Sequence, residues 1–213
     1  MIPVPCASSN ILASSVPLSC IPRFIHSTIP KVIEAAAKEG YPIDKMTVAG
    51  GSAGHALAMI YTYRDGKDVP VPVVFTFGAV GPSCFVAEDW GVFGVGLDSE
   101  ESRAAGAVLF SVMSGQEITP EGMADGSYLS KVHTISAADY VSENPVPTVV
   151  AYGACDKVQP FLASKRLEAA LQESGADYRY FVMEHSGHGL QNDNRIYAAY
   201  MKEVEAYLAK YMG

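Results

Sequence analysis

Clusters of basic residues are missing from this sequence. Its 15 Lys and Arg residues are scattered among 23 Asp and Glu residues, and the formal net charge at pH 7 is −8. A nucleic-acid surface needs a basic patch or stripe, so we predict no nucleic-acid partner. The rest of the composition, 49% hydrophobic and 18% charged over 213 residues, is typical of one globular domain with a sizeable core, and we expect residues 1–213 to form it.

Long uninterrupted apolar runs are also missing. The uncharged stretch 69–87 contains Pro70, Pro72 and Pro82, which favours a strand with flanking loops over a membrane-spanning helix. We therefore predict no membrane association. The sequence also contains no Asn-x-Ser/Thr acceptor site.

Closely spaced cysteines are absent. Cys6, Cys20, Cys84 and Cys155 show neither Cys-x-x-Cys spacing nor clustering with other metal ligands, so we predict no metal site and no cofactor. We interpret the four as free thiols in a reducing compartment, which indicates a cytoplasmic protein. Distant disulfides are the alternative.

Charge is absent from the first 22 residues, which contain four prolines and five serines. A secretory signal is one interpretation, but a basic n-region is missing and prolines interrupt the apolar part. We expect instead an irregular N-terminal arm over 1–24, or the altered start of a longer ancestral chain.

What the sequence does contain is an alternation of strands and helices. Strands are predicted at 46–49, 71–77, 146–152 and 178–183. Helices are predicted at 24–40, from just after residue 52 to 63, and at 99–114, 119–125, 161–174 and 193–212. Pro30 is expected to delay the regular part of the first helix to about residue 27. The alternation predicts an α/β fold, with a mostly parallel sheet covered by helices on both faces.

The stretch Gly50-Gly-Ser-Ala-Gly54 joins the first strand to the next helix. Strand, Gly-x-Ser-x-Gly and helix form the context of a nucleophile elbow, in which a serine on a tight turn projects its Oγ beyond the sheet. Gly50 and Gly54 are expected because a Cβ at either position would meet neighbouring backbone. We predict Ser52 as a nucleophile supported by the helix N-terminus, with a glycine-rich turn carrying an inert serine as the alternative.

A serine hydroxyl needs a base to remove its proton and an acid to orient that base. Asp156 follows the third strand and His188 follows the fourth, at the edge where an open α/β sheet forms its crevice. We therefore predict Ser52, Asp156 and His188 as a catalytic triad, in the chain order Ser, Asp, His.

Each partner of the serine has an alternative interpretation. Asp156 can be a helix-capping or turn aspartate, and His185 is a rival base that we expect to pack or hydrogen-bond near the strand end. A metal site on His185 and His188 lacks a third ligand. His55, just after the elbow, is expected to be a pocket-wall or structural residue rather than a second base.

Three motifs carry a resemblance to a known fold family. Gly50-Gly-Ser-Ala-Gly-His55, Gly153-Ala-Cys-Asp156 and His185-Ser-Gly-His-Gly-Leu190 resemble the α/β-hydrolase serine esterases. The sequence is most similar to the carboxylesterase, acetyl esterase and feruloyl-esterase-like group that includes hormone-sensitive-lipase relatives. The resemblance covers about residue 25 to the C-terminus.

The resemblance implies a role for each site residue. Ser52 would be the nucleophile, Asp156 the acid and His188 the general base and acid, while the Ala53 N–H would be one oxyanion donor. The resemblance also implies an eight-stranded sheet and a second oxyanion donor from a His-Gly-Gly loop. This sequence has no His-Gly-Gly and only four readable strands, so we expect an N-terminally shortened fold. Losing one oxyanion donor costs on the order of 10²–10³ in rate.

The segment 85–139 lies between the second and third strands, where insertions in this fold form a helical cap. We expect the cap and the elbow to line a substrate pocket for an acyl or aromatic group. The candidate pocket residues are Gly51, His55, Phe85, Trp90, Phe93 and Met113. The alternative for the aromatic residues is that they form a small core of the cap itself.

The shortened sheet would leave the elbow strand without a neighbour on its outer side. A buried-type strand with an open edge is a pairing hazard, so we expect that edge to be covered. The candidates are a second copy of the chain, which would make a homo-oligomer, and the arm 1–22.

Two functions from different classes are consistent with these features. The first is a serine hydrolase that cleaves carboxylic esters of small molecules through an acyl-enzyme, although amidases, peptidases and thioesterases share the fold. The second is a catalytically weak or inactive fragment that serves binding or assembly. A flavodoxin-like nucleotide binder is disfavoured, because the stretch 50–54 lacks a basic partner.

Overall fold

The computed structural model describes residues 17–18 and 21–213, and its described part contains one parallel four-stranded sheet. The strands are β1 (Met46–Gly51), β2 (Val73–Ala79), β3 (Thr148–Gly153) and β4 (Tyr178–Met183). They lie in the order β1-β2-β3-β4, and each neighbouring pair is parallel. The α/β fold predicted from the sequence is confirmed.

The observed strand boundaries agree only in part with those predicted from the sequence. The prediction for 178–183 matches β4, whereas β1 and β2 each end two residues later than predicted. The reason is pairing between the strands, because Gly50 and Gly51 align with Gly78 and Ala79. A glycine pair has no strand propensity of its own, so this extension depends on the neighbouring strand.

Seven α-helices surround the sheet in the described residues. They are α1 (Ile21–Lys38), α2 (Ala53–Tyr63), α3 (Glu100–Ser114), α4 (Pro120–Asp125), α5 (Tyr128–Val132), α6 (Phe161–Ser174) and α7 (Asn194–Met212). Short 3₁₀ segments at Ala87–Phe93, His133–Ile135 and Ala137–Glu143 link several of them. Ser99 and Thr119 cap α3 and α4, since their side chains accept hydrogen bonds from Ser102 N and Gly122 N.

The first helix begins earlier than predicted. Helix α1 starts at Ile21, so the prediction of an irregular arm is wrong for residues 21–24. The helix also continues through Pro30, so its regular part is not delayed to about residue 27. Pro30 is exposed, and a proline inside a helix removes one intrahelical hydrogen bond and crowds the preceding turn. Apart from Pro17 and Leu18, the rest of the predicted arm lies outside the described residues.

Two buried clusters cover the two faces of the sheet. Successive residues of β3 point to opposite faces, so Val150 and Tyr152 join the larger cluster while Val149 and Ala151 join the smaller one. Helices α2, α3 and α6 contribute to the larger cluster, and α7 covers the other face through Tyr200, Val204 and Tyr207.

The segment 85–139 shares its core with the sheet. Phe85, Trp90, Phe110 and Tyr128 belong to the same buried cluster as Tyr152 of β3. The segment is therefore packed onto the main core.

Strand β1 forms one border of the sheet. Within the described residues it pairs with β2 alone, and Ala49 and Gly51 are exposed. The sequence led us to expect this open edge. No helix in the described part of the chain is both long and apolar enough to cross a membrane.

The two cysteines in the described part of the chain are free thiols. Cys84 is buried and Cys155 is exposed, and neither forms a disulfide. The prediction of free thiols is confirmed for these two, while Cys6 and Cys20 lie outside the described residues.

Candidate active site

Ser52 lies on a strained turn between β1 and α2. Its φ of 53° and ψ of −125° fall in a region that side-chain-bearing residues rarely adopt. The turn is anchored on both sides, because Ser52 N donates to Ala79 O at 2.9 Å and Ser52 O accepts from His55 N at 2.9 Å. This is the backbone geometry expected of a nucleophile elbow.

Close packing around the elbow depends on Gly50 and Gly81. A Cβ at Gly50 would lie 2.1 Å from Gly54 O, as the sequence predicts. At Gly54 the prediction is wrong, because a Cβ there would meet no atom within 4 Å. Another close approach is at Gly81, where a Cβ would lie 2.3 Å from Ser52 O. Gly81 belongs to the loop after β2, and no local pattern marks it.

The three residues predicted as a triad form one continuous line of hydrogen bonds. His188 Nε2 lies 2.8 Å from Ser52 Oγ, and His188 Nδ1 lies 2.8 Å from Asp156 Oδ2. An ionised carboxylate can only accept, so Nδ1 carries the proton and Nε2 is free to accept from the serine hydroxyl. The arrangement can transfer the Ser52 proton to His188.

Asp156 also holds the turn in which it lies. Its Oδ1 accepts from the backbone N–H groups of Val158 at 2.7 Å and Gln159 at 2.9 Å, while its Oδ2 faces His188. The interpretation as a turn aspartate is confirmed through Oδ1, and Oδ2 leaves the catalytic role open as a prediction, because the two roles use different oxygens. The side chain is 1% exposed, so water does not compete for these bonds.

The loops that carry Asp156 and His188 pack backbone to backbone. Ala154 N donates to Met183 O and Cys155 N donates to Ser186 O, both at 3.0 Å. Gly153 allows this approach, since a Cβ there would lie 2.3 Å from Gly187 O. The contact sets the distance between the carboxylate and the imidazole.

His185 is bonded away from the serine. Its Nδ1 lies 2.9 Å from Asp193 Oδ1, and this hydrogen bond raises the pKa of His185. Asp193 Oδ2 also accepts from Ser186 Oγ at 2.6 Å, which ties the loop to the start of α7. His188, rather than His185, contacts Ser52. Sequence reasoning placed Asp193 at the helix start but missed this link.

His55 is a structural residue beneath the elbow. It is fully buried, and its Nε2 lies 3.0 Å from the hydroxyl of Tyr152. Burial lowers the pKa of His55 to about 3, so the ring is neutral at physiological pH. The expectation that His55 lines the pocket is wrong, because this turn of α2 faces the sheet.

A cavity of about 270 Å³ opens beside Ser52. Ala53, Gln159 and His188 lie in its wall with Ser52. The apolar part of the wall includes Leu18, Val80, Pro82, Trp90, Met113 and Val158. Val80 has a φ of 51°, so a second strained residue lies at the site.

Trp90 and Met113 are the predicted pocket residues found in this wall. Phe85 is fully buried and stacks on Trp90 with ring centroids 5.2 Å apart, so for Phe85 the core interpretation is correct. Phe93 is 40% exposed and contacts Trp90, but it lies outside the wall. Gly51 is exposed at the end of β1 and also lies outside it.

Ala53 is placed to support negative charge near Ser52. It is the first residue of α2, so its N–H is among the amides that have no intrahelical acceptor. Among the described residues, no group of three His, Cys, Asp or Glu side chains is arranged to hold a metal ion.

The fold and the elbow define an α/β-hydrolase. The prolyl oligopeptidase family matches residues 106–213, a stretch that includes Asp156 and His188 and begins after Ser52. Because the match covers half of the chain, the protein belongs to the prolyl oligopeptidase family. A comparison with curated proteins finds no match.

Solved structures of esterases and peptidases share this fold. A Thermogutta terrifontis esterase with butyrate bound has 17% identity and a TM-score of 0.63, over 92% of this chain and 66% of its own. A Mycobacterium tuberculosis puromycin-hydrolyzing peptidase has 19% identity and a TM-score of 0.52, over 84% of this chain and 24% of its own. A Pyrococcus horikoshii acylaminoacyl peptidase has 11% identity and a TM-score of 0.59, over 87% and 27%. The chain thus spans about a quarter of each peptidase.

Proposed function

We propose that this protein is a serine hydrolase that cleaves carboxylic esters of small molecules. The observation that carries the proposal is the line of hydrogen bonds from Asp156 through His188 to Ser52. Ser52 lies in the wall of a largely apolar cavity. Membership of a family of serine hydrolases supports the reaction class.

The geometry supports a two-step reaction. Ser52 Oγ attacks the ester carbonyl while His188 Nε2 takes its proton, and the Ala53 N–H donates to the developing oxyanion. Asp156 stabilises the imidazolium that forms. His188 then returns the proton to the leaving alcohol, and a water activated by the same imidazole hydrolyses the acyl-enzyme.

The cavity favours a small acyl group. Its volume of about 270 Å³ and its wall of Leu18, Trp90, Met113 and Val158 suit a short apolar chain. The structurally similar Thermogutta terrifontis esterase was solved with butyrate bound, which agrees with this size.

A second candidate function is a catalytically weak or inactive protein that serves binding or assembly. The given sequence contains no His-Gly-Gly, the motif that the resemblance to esterases associates with a second oxyanion donor beside Ala53. With one donor, the rate would fall on the order of 10²–10³.

Covalent labelling distinguishes the two candidates. We expect a fluorophosphonate to add one adduct to the wild type, and Ser52→Ala to abolish both the adduct and the hydrolysis of 4-nitrophenyl butanoate. Ser142→Ala, at an exposed position, is the matched control and should label normally. A folded wild type that takes no label favours the second candidate.

We also propose that a second copy of the chain pairs with the open edge of β1. The exposed Ala49 and Gly51 and the absence of a described outer neighbour support this contact. Analytical ultracentrifugation should find a dimer or larger species at micromolar concentration. A monomer under those conditions contradicts this part of the proposal.

A further inference from the structure

A buried hydroxyl lies beneath the elbow, and it belongs to Tyr152 of β3, which is 1% exposed. The ring stacks on that of Tyr180 in the neighbouring strand β4, with centroids 5.5 Å apart, so the sheet holds it. The hydroxyl oxygen lies 3.0 Å from His55 Nε2 and 3.3 Å from Gly81 O. It therefore connects the sheet both to α2 and to the loop after β2.

Only one assignment of protons satisfies both contacts of this hydroxyl. A carbonyl can only accept, so the hydroxyl proton of Tyr152 points to Gly81 O. The hydroxyl oxygen then accepts from His55, whose neutral ring carries its proton on Nε2. Burial keeps the ring neutral, because it lowers the pKa of His55 to about 3. The three groups thus form a directed chain of hydrogen bonds that ends at Gly81.

The Gly81 end of this chain meets the turn that carries the nucleophile. A Cβ at Gly81 would lie 2.3 Å from Ser52 O, so the two backbones are in close contact. The preceding residue, Val80, has a φ of 51°, and both Val80 and Pro82 line the cavity beside Ser52. Strained backbone of this kind persists only where the surrounding contacts hold it. The hydroxyl of Tyr152 supplies one of those contacts.

We infer that Tyr152 is a positioning residue for Ser52. Its hydroxyl holds the loop 80–82 against the elbow, and the elbow in turn keeps Ser52 Oγ 2.8 Å from His188 Nε2. The inference rests on the proposed hydrolase function and extends it to a side chain outside the cavity wall. Proton transfer needs that short contact, so a small displacement of the turn lowers the rate of attack.

Four single variants test this role, each first shown to be folded by circular dichroism. Tyr152→Phe removes the hydroxyl alone. His55→Phe keeps a ring but removes the donor, whereas His55→Gln keeps an amide donor. Tyr63→Phe is the matched control, because Tyr63 is also 1% exposed and its hydroxyl bonds to Thr148 Oγ1 at the other end of α2.

We expect kcat for 4-nitrophenyl butanoate to fall about tenfold in Tyr152→Phe and in His55→Phe. The double variant should lose no more than either single one, since both changes break the same connection. His55→Gln should keep kcat within about threefold of wild type, and Tyr63→Phe should keep it unchanged. A merely structural hydroxyl would lower the free energy of unfolding in both tyrosine variants and leave kcat intact, and that result would overturn the inference.

Hydrogen–deuterium exchange tests the same contact without turnover. The backbone N–H groups of Ser52 and Val80 are hydrogen-bonded within the fold, so their exchange reports how firmly the turn and the loop are held. Exchange at both should be about tenfold faster in Tyr152→Phe and unchanged in Tyr63→Phe. Wild-type exchange in Tyr152→Phe would overturn the inference and leave the proposed function standing. Faster exchange in a protein whose wild type hydrolyses no ester would support the contact and contradict the proposed function.

Discussion

At the scale of single residues, Asp156 shows how one buried carboxylate supports both the fold and the chemistry. One oxygen accepts from two backbone amides of its turn, and the other accepts from His188. Because the turn fixes the carboxylate, the imidazole is held in the tautomer that leaves Nε2 facing Ser52.

Asp156→Asn should separate these two roles. The amide oxygen can still accept from the turn, but its NH₂ group would face His188 Nδ1 and favour the tautomer with the proton on Nε2. We expect kcat for 4-nitrophenyl butanoate to fall on the order of 10³–10⁴. Steady-state kinetics measures this, and urea denaturation should show a loss of stability of less than about 2 kcal/mol.

Asp139→Asn provides the matched control for that change. Asp139 lies 2.8 Å from His133 Nδ1 in an exposed pair outside the cavity wall, so its variant should keep full activity. Activity above a tenth of wild type in Asp156→Asn would contradict the assigned role.

At the scale of elements, the elbow is held by the loop that follows β2 as well as by Gly50. Gly81 packs against the carbonyl of Ser52, and Val80 donates its N–H to Ala151 O at 3.0 Å while lining the cavity. The turn between β1 and α2 is therefore supported by a segment almost thirty residues away.

Gly81→Ala and Gly54→Ala should differ in their effect on stability. A Cβ at position 81 would lie 2.3 Å from Ser52 O and displace the elbow, so we expect the free energy of unfolding to fall by about 2 kcal/mol or more. At position 54 the added Cβ meets nothing and alanine favours the helix, so the free energy should stay constant or rise by up to about 1 kcal/mol. Urea denaturation checks both, and equal losses would contradict the packing described here.

At the scale of the whole molecule, two buried clusters hold the sheet between α7 on one face and the remaining core helices on the other. His55 lies within this packing as a neutral ring, and its burial gives the stability of the fold a pH dependence. The open edge of β1 is the part of the sheet that this packing does not cover.

Stability should fall with acid because of His55. Burial lowers its pKa from 6.5 to about 3. Between these values the unfolded chain binds the proton and the folded chain does not, so the free energy of unfolding falls by up to about 1.4 kcal/mol per pH unit. The contribution is complete above pH 6.5 and is lost as the pH falls toward 3.

Variants at His55 and His185 separate the contribution of His55 to the loss of stability in acid. Urea denaturation between about pH 7.5 and pH 4.5 should show a smaller loss for His55→Phe than for wild type. His185→Gln is the control, since the pKa of His185 is raised by Asp193 and its contribution is present in acid and lost as the pH rises. The same acid loss in wild type and His55→Phe would contradict this account.

Much of the fold was predictable because its signals are local. Helix α6 and strand β4 match their predicted ranges, and α3 begins one residue after its Ser99 cap. The extension of β1 and the early start of α1 were not predictable, since the first depends on a neighbouring strand and the second contradicts a local proline signal.

The sequence alone was sufficient to place Ser52, Asp156 and His188 at the ends of three strands, because parallel strands bring their C-terminal loops to one edge. It also favoured His188 over His185 as the residue that meets the serine, as the structure has it. It did not establish whether His55 is buried, which aromatic residues reach the cavity, or that Gln159 lies in its wall. Ser52 and His188 are 136 residues apart, and contacts of that range depend on packing between elements. Periodicity and turn signals describe only a few consecutive residues, so those answers required the tertiary structure.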